Sequence, residues 1–174
     1  MTTLTLSNID LARLDKLASA IVAGFPSRAV IGLVGTLGAG KTTFTQALAA
    51  AMGIDPEDVT SPTFTLLSSY AARLPSGEIQ LHHLDAYRIG DEDEFLELGV
   101  EELFEAPRSW TLIEWADRVE SVLPTETLWI TMEVDPAGGE SPARIVTFAS
   151  EDAVWRPALE SLRRDAQSWG AVVR

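Results

Sequence analysis

The segment Gly35-Thr36-Leu37-Gly38-Ala39-Gly40-Lys41-Thr42-Thr43 satisfies the pattern G-x-x-x-x-G-K-[ST] at every fixed position. No other stretch limits the fold so strongly, because this loop functions only between a buried strand and the first turn of a helix. Both flanks agree. Ala29 to Val34 is a short apolar run with β-branched residues, suited to a buried strand, and residues 44–52 are rich in Ala, Leu and Gln, which favour a helix. Glycines at 35, 38 and 40 let the backbone curl until successive N–H groups point inward, and the helix dipole adds positive potential there. A nucleoside triphosphate is therefore expected on this loop. Gly35, Leu37, Gly38, Ala39, Gly40 and Thr43 would contribute backbone, Lys41 would bridge the β- and γ-phosphates, and the Thr42 hydroxyl would face Mg²⁺.

The chain has 174 residues, which fits one domain with a short appendage and leaves no room for a second catalytic domain. Its apolar residues, 46% of the total, never run uninterrupted for about 18 positions, so no membrane span is expected. The first ten residues carry neither a basic nor an apolar export segment, and there are no cysteines; together these predict a cytoplasmic protein without disulfides or thiolate metal sites. The formal net charge is -13, lysines occur at 16 and 41, and the arginines are scattered. A direct, stable grip on nucleic acid is not expected from such a chain, since phosphate neutralisation needs clustered basic residues. The acidic run Asp91-Glu92-Asp93-Glu94, followed by Glu97, Glu101, Glu102 and Glu105, reads either as a solvated helix face or as a surface for a basic partner.

Leu11, Leu14, Leu17, Ala18, Ile21 and Val22 recur at helical spacing, so a helix is predicted over about 9–25. Strands are predicted over 63–70 and 78–87, joined by the turn signal Leu74-Pro75-Ser76-Gly77, and two strands so close in sequence should pair antiparallel. One or two short helices broken at Gly99 should fill 92–104, with a buried strand at 110–115 and a short helix ending near Leu123-Pro124. Alternation over 128–134 and 144–148 predicts a second hairpin, and 153–169 should be helical. The expected fold class is α/β: a single-domain P-loop NTPase-like fold whose central sheet mixes parallel and antiparallel strands and is flanked by helices. Residues 1–150 would form the P-loop domain and 151–174 a C-terminal helical extension.

Hydrolysis needs an acid near the metal and a group that orients water. Glu114 ends an apolar strand, where it is either a Walker-B-like metal acid or merely exposed at the terminus. Asp85 lies in His82-His83-Leu84-Asp85-Ala86-Tyr87-Arg88; strand alternation groups His83, Asp85 and Tyr87 on one face, either a solvated hairpin face or part of a site. Metal chelation by His82 with His83 is disfavoured, because adjacent strand residues point apart. Ser61-Pro62-Thr63-Phe64 follows the loop at about the distance of a γ-phosphate-sensing segment, and Ser61 and Thr63 are candidates for phosphate contact; an ordinary loop-to-strand entry fits equally well.

Taken in order, the loop at 35–43, Ser61-Pro62-Thr63-Phe64, His83-Leu84-Asp85-Ala86-Tyr87-Arg88, Glu97-Leu98-Gly99-Val100-Glu101-Glu102 and Leu112-Ile113-Glu114-Trp115 resemble the TsaE (YjeE) family. These are small bacterial P-loop ATPases of tRNA threonylcarbamoyladenosine biosynthesis. The resemblance implies ATP and Mg²⁺ as ligands, with Thr42 and Glu114 on the metal, Lys41 and the loop backbone on the phosphates, and Asp85 and Trp115 in catalysis or its coupling. It also implies a weak intrinsic Mg-dependent ATPase that works with the TsaB and TsaD proteins. Three departures stand out. Thr36 occupies a position usually held by Asp; 139–144 keeps only the final arginine of a Gly-Arg-Glu-Ala-Arg segment; and 151–174 lies beyond the matched region. Without the resemblance, a P-loop kinase of small molecules or nucleotides, a GTP-driven switch or a nucleotide-sensing adaptor would share the loop. No lid rich in arginines and no Asn-Lys-x-Asp segment supports the first two.

Overall fold

The computed structural model describes residues 1–62, 64–136 and 142–174. The predicted phosphate contact at Thr63 and the departure at Gly139, Glu140 and Ser141 fall outside the described residues. In chain order the elements are β1 (Thr2–Ile9), α1 (Leu11–Gly24), β2 (Ala29–Val34), α2 (Lys41–Ala51), β3 (Leu67–Leu74), β4 (Gly77–Asp85), α3 (Glu92–Leu96) and α4 (Val100–Glu105). There follow β5 (Ser109–Glu114), a 3₁₀ segment (Ala116–Val122), β6 (Leu128–Val134), β7 (Arg144–Ser150), α5 (Arg156–Ser168) and β8 (Val172–Val173).

One eight-stranded sheet runs β3-β4-β5-β2-β6-β7-β1-β8. Its centre is parallel, through the pairs β4–β5, β5–β2 and β2–β6, while the hairpins β3–β4 and β6–β7 and the pairs of β1 with β7 and β8 are antiparallel. This is the mixed α/β sheet expected from two hairpins added to a βαβ core. β2 and β5 are buried almost throughout, as strands covered on both faces must be. Gly32 is tightly packed there, since a Cβ would sit 3.0 Å from the Ala116 side chain and the Trp129 ring. The main core joins α1, α2 and α5 to the sheet, and a smaller cluster under α3 and α4 centres on Phe95, Phe104 and Ile113. Among the described residues no helix is long and apolar enough to cross a membrane.

Several boundaries differ from expectation. The first helix begins at Leu11, where the Asp10 carboxylate caps the Arg13 N–H at 2.8 Å, and residues before it form β1, a strand not foreseen. β3 starts four residues late, at Leu67. A turn intervenes in which the Leu66 N–H meets the Pro62 carbonyl at 2.7 Å and Leu66 takes φ 63°. β4 stops at Asp85, because its carboxylate accepts the Tyr87 N–H at 2.8 Å and turns the chain out of the sheet. The 151–174 segment contributes α5, packed on α1, and β8, paired with β1 at Leu6 and Ser7.

Candidate functional site

The parallel strands β2, β4 and β5 end side by side, with Asp85 and Glu114 opposite one another in register. In open α/β sheets this carboxyl edge is where ligands bind. Register groups His83 with Leu112 and Ile31, and Asp85 with Glu114 and Leu33, so His83, Asp85 and Glu114 share one face of the sheet. Thr42 reaches that same cluster from the first turn of α2.

The loop from β2 to α2 has the geometry its glycines suggest. Gly40 precedes the helix with φ 104°, and at Gly35 a Cβ would strike the Met132 carbonyl oxygen. Leu37, Gly38, Gly40, Lys41, Thr42 and Thr43 line a cleft of about 450 Å³, together with Ser61, Asp85, Tyr87, Glu114, Trp115 and Arg144. Gly35 and Ala39 sit behind this lining. The Gly35 carbonyl accepts from Lys41, and the Ala39 methyl is fully buried.

Lys41 is 5% exposed. Its Nζ donates to the Gly35 carbonyl at 2.6 Å and the Thr36 carbonyl at 3.1 Å and lies 3.8 Å from the centroid of the Trp115 ring. Burial pulls its pKa below the ordinary lysine range, with the Glu114, Asp117 and Asp85 carboxylates opposing that shift. Trp115 adopts φ 58° and ψ 38°, a left-handed backbone that costs a bulky residue on the order of 1–3 kcal/mol. The turn sets its ring against both Lys41 and, with centroids 4.9 Å apart, Tyr87.

Glu114 is 3% exposed and accepts the Thr42 hydroxyl at 3.0 Å on Oε1 and 3.1 Å on Oε2. Because that hydroxyl hydrogen points at Glu114, the Thr42 lone pairs remain for a cation in the cleft. His83, fully buried, pairs its Nε2 with Glu114 Oε1 at 2.8 Å. Asp85 is 4% exposed; its Oδ2 accepts the Ser61 hydroxyl at 2.7 Å while Oδ1 holds Tyr87. The solvated-face reading of His83 and Asp85 therefore fails, as does an exposed strand-end Glu114. His82 turns the other way, to Ser69 at 2.7 Å, so the two histidines do not converge.

Three residues outside the predicted set enter the site. Tyr87 lines the cleft, His83 supports Glu114, and Arg144 donates from Nε to the Ala39 carbonyl at 2.7 Å and from Nη2 to the Gly38 carbonyl at 3.4 Å. With those two carbonyls drawn toward Arg144, the loop N–H groups are left for an anion. Strand alternation carried the signal for His83, whereas the β6–β7 hairpin brings Arg144 to the loop across more than 100 positions, so that its one trace was the family resemblance, in which it ends the 139–144 segment.

The donor set fits a nucleotide with a hard divalent cation. Among the described residues no three His, Cys, Asp or Glu side chains converge to hold a metal unaided. Mg²⁺ is commonly held by one or two protein oxygens completed by phosphate and water, which is what Thr42 and Glu114 beside a phosphate loop offer.

A model described as "Threonylcarbamoyl adenosine biosynthesis protein TsaE" matches residues 9–141. The tRNA threonylcarbamoyladenosine biosynthesis protein TsaE of Bacillus subtilis is 39% identical over 135 residues, 78% of each chain. The protein of the same name from Treponema pallidum is 42% identical over 105 residues, 60% of this chain and 73% of that one. The crystal structure of Bacillus subtilis YdiB superposes with a TM-score of 0.72 at 29% identity, covering 94% of this chain and 95% of the other.

Proposed function

This chain belongs to the TsaE family of tRNA threonylcarbamoyladenosine biosynthesis, and on that premise we propose that it is the ATP-hydrolysing component of the pathway, a cytoplasmic Mg-dependent ATPase. The observation that carries this reading is the Thr42–Glu114 bond at the first turn of the helix that follows the phosphate loop. Thr43 and the loop backbone bind the triphosphate, and Lys41, with two of its three N–H donors on loop carbonyls, directs the remaining one to phosphate. Mg²⁺ held by Thr42 and Glu114 would supply positive charge to offset that on the phosphate oxygens. Glu114 and Thr42 hold the metal side of the cleft. Asp85, fixed by Ser61 and by the Tyr87 N–H, orients the attacking water for in-line displacement at the γ-phosphate. Trp115 backs the Lys41 ammonium and couples its position to the rim at Tyr87.

Charge supports the division of labour. With a net charge of -13, the chain would be repelled by tRNA phosphates, so the RNA is held by partners, the TsaB and TsaD proteins, and hydrolysis here resets or remodels their complex. An ATPase assay on the pure chain, with and without TsaB and TsaD, tests this. Slow Mg-dependent hydrolysis alone, accelerated by both partners, is the expected result. ATP consumption strictly dependent on a small acceptor would replace the proposal with a kinase, and no hydrolysis in any combination would overturn it.

A further inference from the structure

Glu114 has a buried neighbour that the proposed reaction does not itself use. His83 sits on β4, flanked in the sheet by β3 and β5, with no exposed surface, and its Nε2 lies 2.8 Å from Glu114 Oε1. A carboxylate only accepts, so the hydrogen of that contact belongs to Nε2. Nδ1, also fully buried, has no hydrogen-bond partner among the described residues, and a bare lone pair there costs less than an unsatisfied N–H. We infer that His83 is a positioning residue that donates from Nε2: it holds the Glu114 carboxylate against Thr42 so that the Thr42 hydroxyl meets a divalent cation beside the nucleotide.

The geometry explains why such a residue is needed. Glu114 shares its Oε1 between His83 and Thr42, while its Oε2 accepts from Thr42 at 3.1 Å. Thr42 is at the start of a helix next to a loop that must accommodate a ligand, and its hydroxyl can rotate. His83, anchored in the sheet, cannot follow that motion. It therefore keeps Glu114 in one rotamer whichever way Thr42 turns. Removing an outer partner of this kind from a metal site typically weakens the metal by about 10–100-fold.

This inference rests on the Mg²⁺–nucleotide reading, and calorimetric titration of ADP at graded Mg²⁺ concentrations separates the two. In the wild-type protein ADP affinity should rise with Mg²⁺; an affinity indifferent to Mg²⁺ would defeat the metal reading itself and the inference with it. In His83→Phe, Mg-free ADP binding should match wild type, while the Mg²⁺ concentration giving half of the affinity gain rises by about 10–100-fold. His83→Gln, whose amide nitrogen can reach Glu114, should recover most of that loss. A His83→Phe protein with the wild-type Mg²⁺ midpoint overturns the inference. Should His83→Phe fail to fold, ¹⁵N-histidine NMR of the wild-type chain decides: a hydrogen on Nε2 supports the assignment, and a bare Nε2 refutes it.

Discussion

Two cavities of nearly equal size open at opposite ends of the parallel strands, about 450 Å³ at the carboxyl edge and about 470 Å³ at the amino edge of β2. The second is lined by Pro26 to Val30, Phe104, Glu126, Asp152, Val154 and Trp155. Volume does not tell them apart. Their charges do. At the amino edge Arg28 and Glu126 face each other at 3.6 Å with side chains 48% and 39% exposed, a pair that water largely solvates. At the carboxyl edge Lys41, Asp85 and Glu114 are each 5% exposed or less, held by hydrogen bonds to loop carbonyls, Ser61, Thr42 and His83. Burying charge is costly unless it is paired, so among the described residues it is the carboxyl edge whose charges mark it as the candidate site.

The sharpest contrast comes from removing one cation at each edge. Lys41→Ala should lower ATP turnover by at least about 100–1,000-fold and weaken nucleotide binding, the scale expected when a donor to developing charge is lost. Arg28→Ala should leave turnover unchanged and shift stability by no more than about 0.5 kcal/mol. Steady-state ATPase assays and denaturant melts on the two variants measure both. Comparable turnover losses in the pair would erase the distinction between the edges.

The carboxyl edge was also the more legible of the two in the sequence, for a physical reason. A phosphate loop is local: its glycines, lysine and threonine must be contiguous, so Gly35 to Thr43 and the flanking strand and helix could be read directly. Glu114 was legible because a carboxylate at the end of an apolar run asks for an explanation. What stayed hidden depends on pairing across the sheet. Whether the His83–Asp85 face was wet or dry turned on remote partners, Glu114 on β5 and Ser61, which alternation cannot reveal. β1 and β8 were missed because each is stabilised by a remote strand, β1 by β7 and β8 by β1, and β8 has just two residues. The late start of β3 hangs on a left-handed Leu66, a conformation no propensity favours.

Arg144 offers a smaller and more selective test of the carboxyl edge. Among the described residues its hydrogen bonds to the phosphate loop go to carbonyl oxygens, at Ala39 and Gly38, so its effect should pass through loop shape. Arg144→Met keeps the aliphatic stem and removes the donors. Nucleotide affinity should fall roughly ten-fold, as expected for one charge-assisted hydrogen bond, with a smaller change in turnover at saturating ATP. Fluorescence titration with a nucleotide analogue, set beside kcat and KM, reads the split. A loss confined to kcat would instead mean that Arg144 acts on the reacting phosphate.

The smallest effect sets the two histidines of β4 against each other. His82 is buried beside Ser69, and burial depresses its pKa below the ordinary 6.5. As pH falls through 6.5, the unfolded chain takes up a proton that folded His82 resists, so the unfolded state gains protons relative to the native one and stability drops. The drop continues down to the depressed folded pKa and then levels off; above 6.5 both states are neutral and His82 contributes no slope. His82→Gln retains a hydrogen-bonding partner for Ser69 and removes the titration. Between about pH 7.5 and about pH 5.5 wild type should therefore lose on the order of 2 °C more in Tm than the variant. Thermal melts of the nucleotide-free proteins across that range measure the difference. Parallel Tm–pH curves would mean that His82 accepts its proton in the folded state, and that burial without a charged partner is less costly on this strand than its side-chain environment implies.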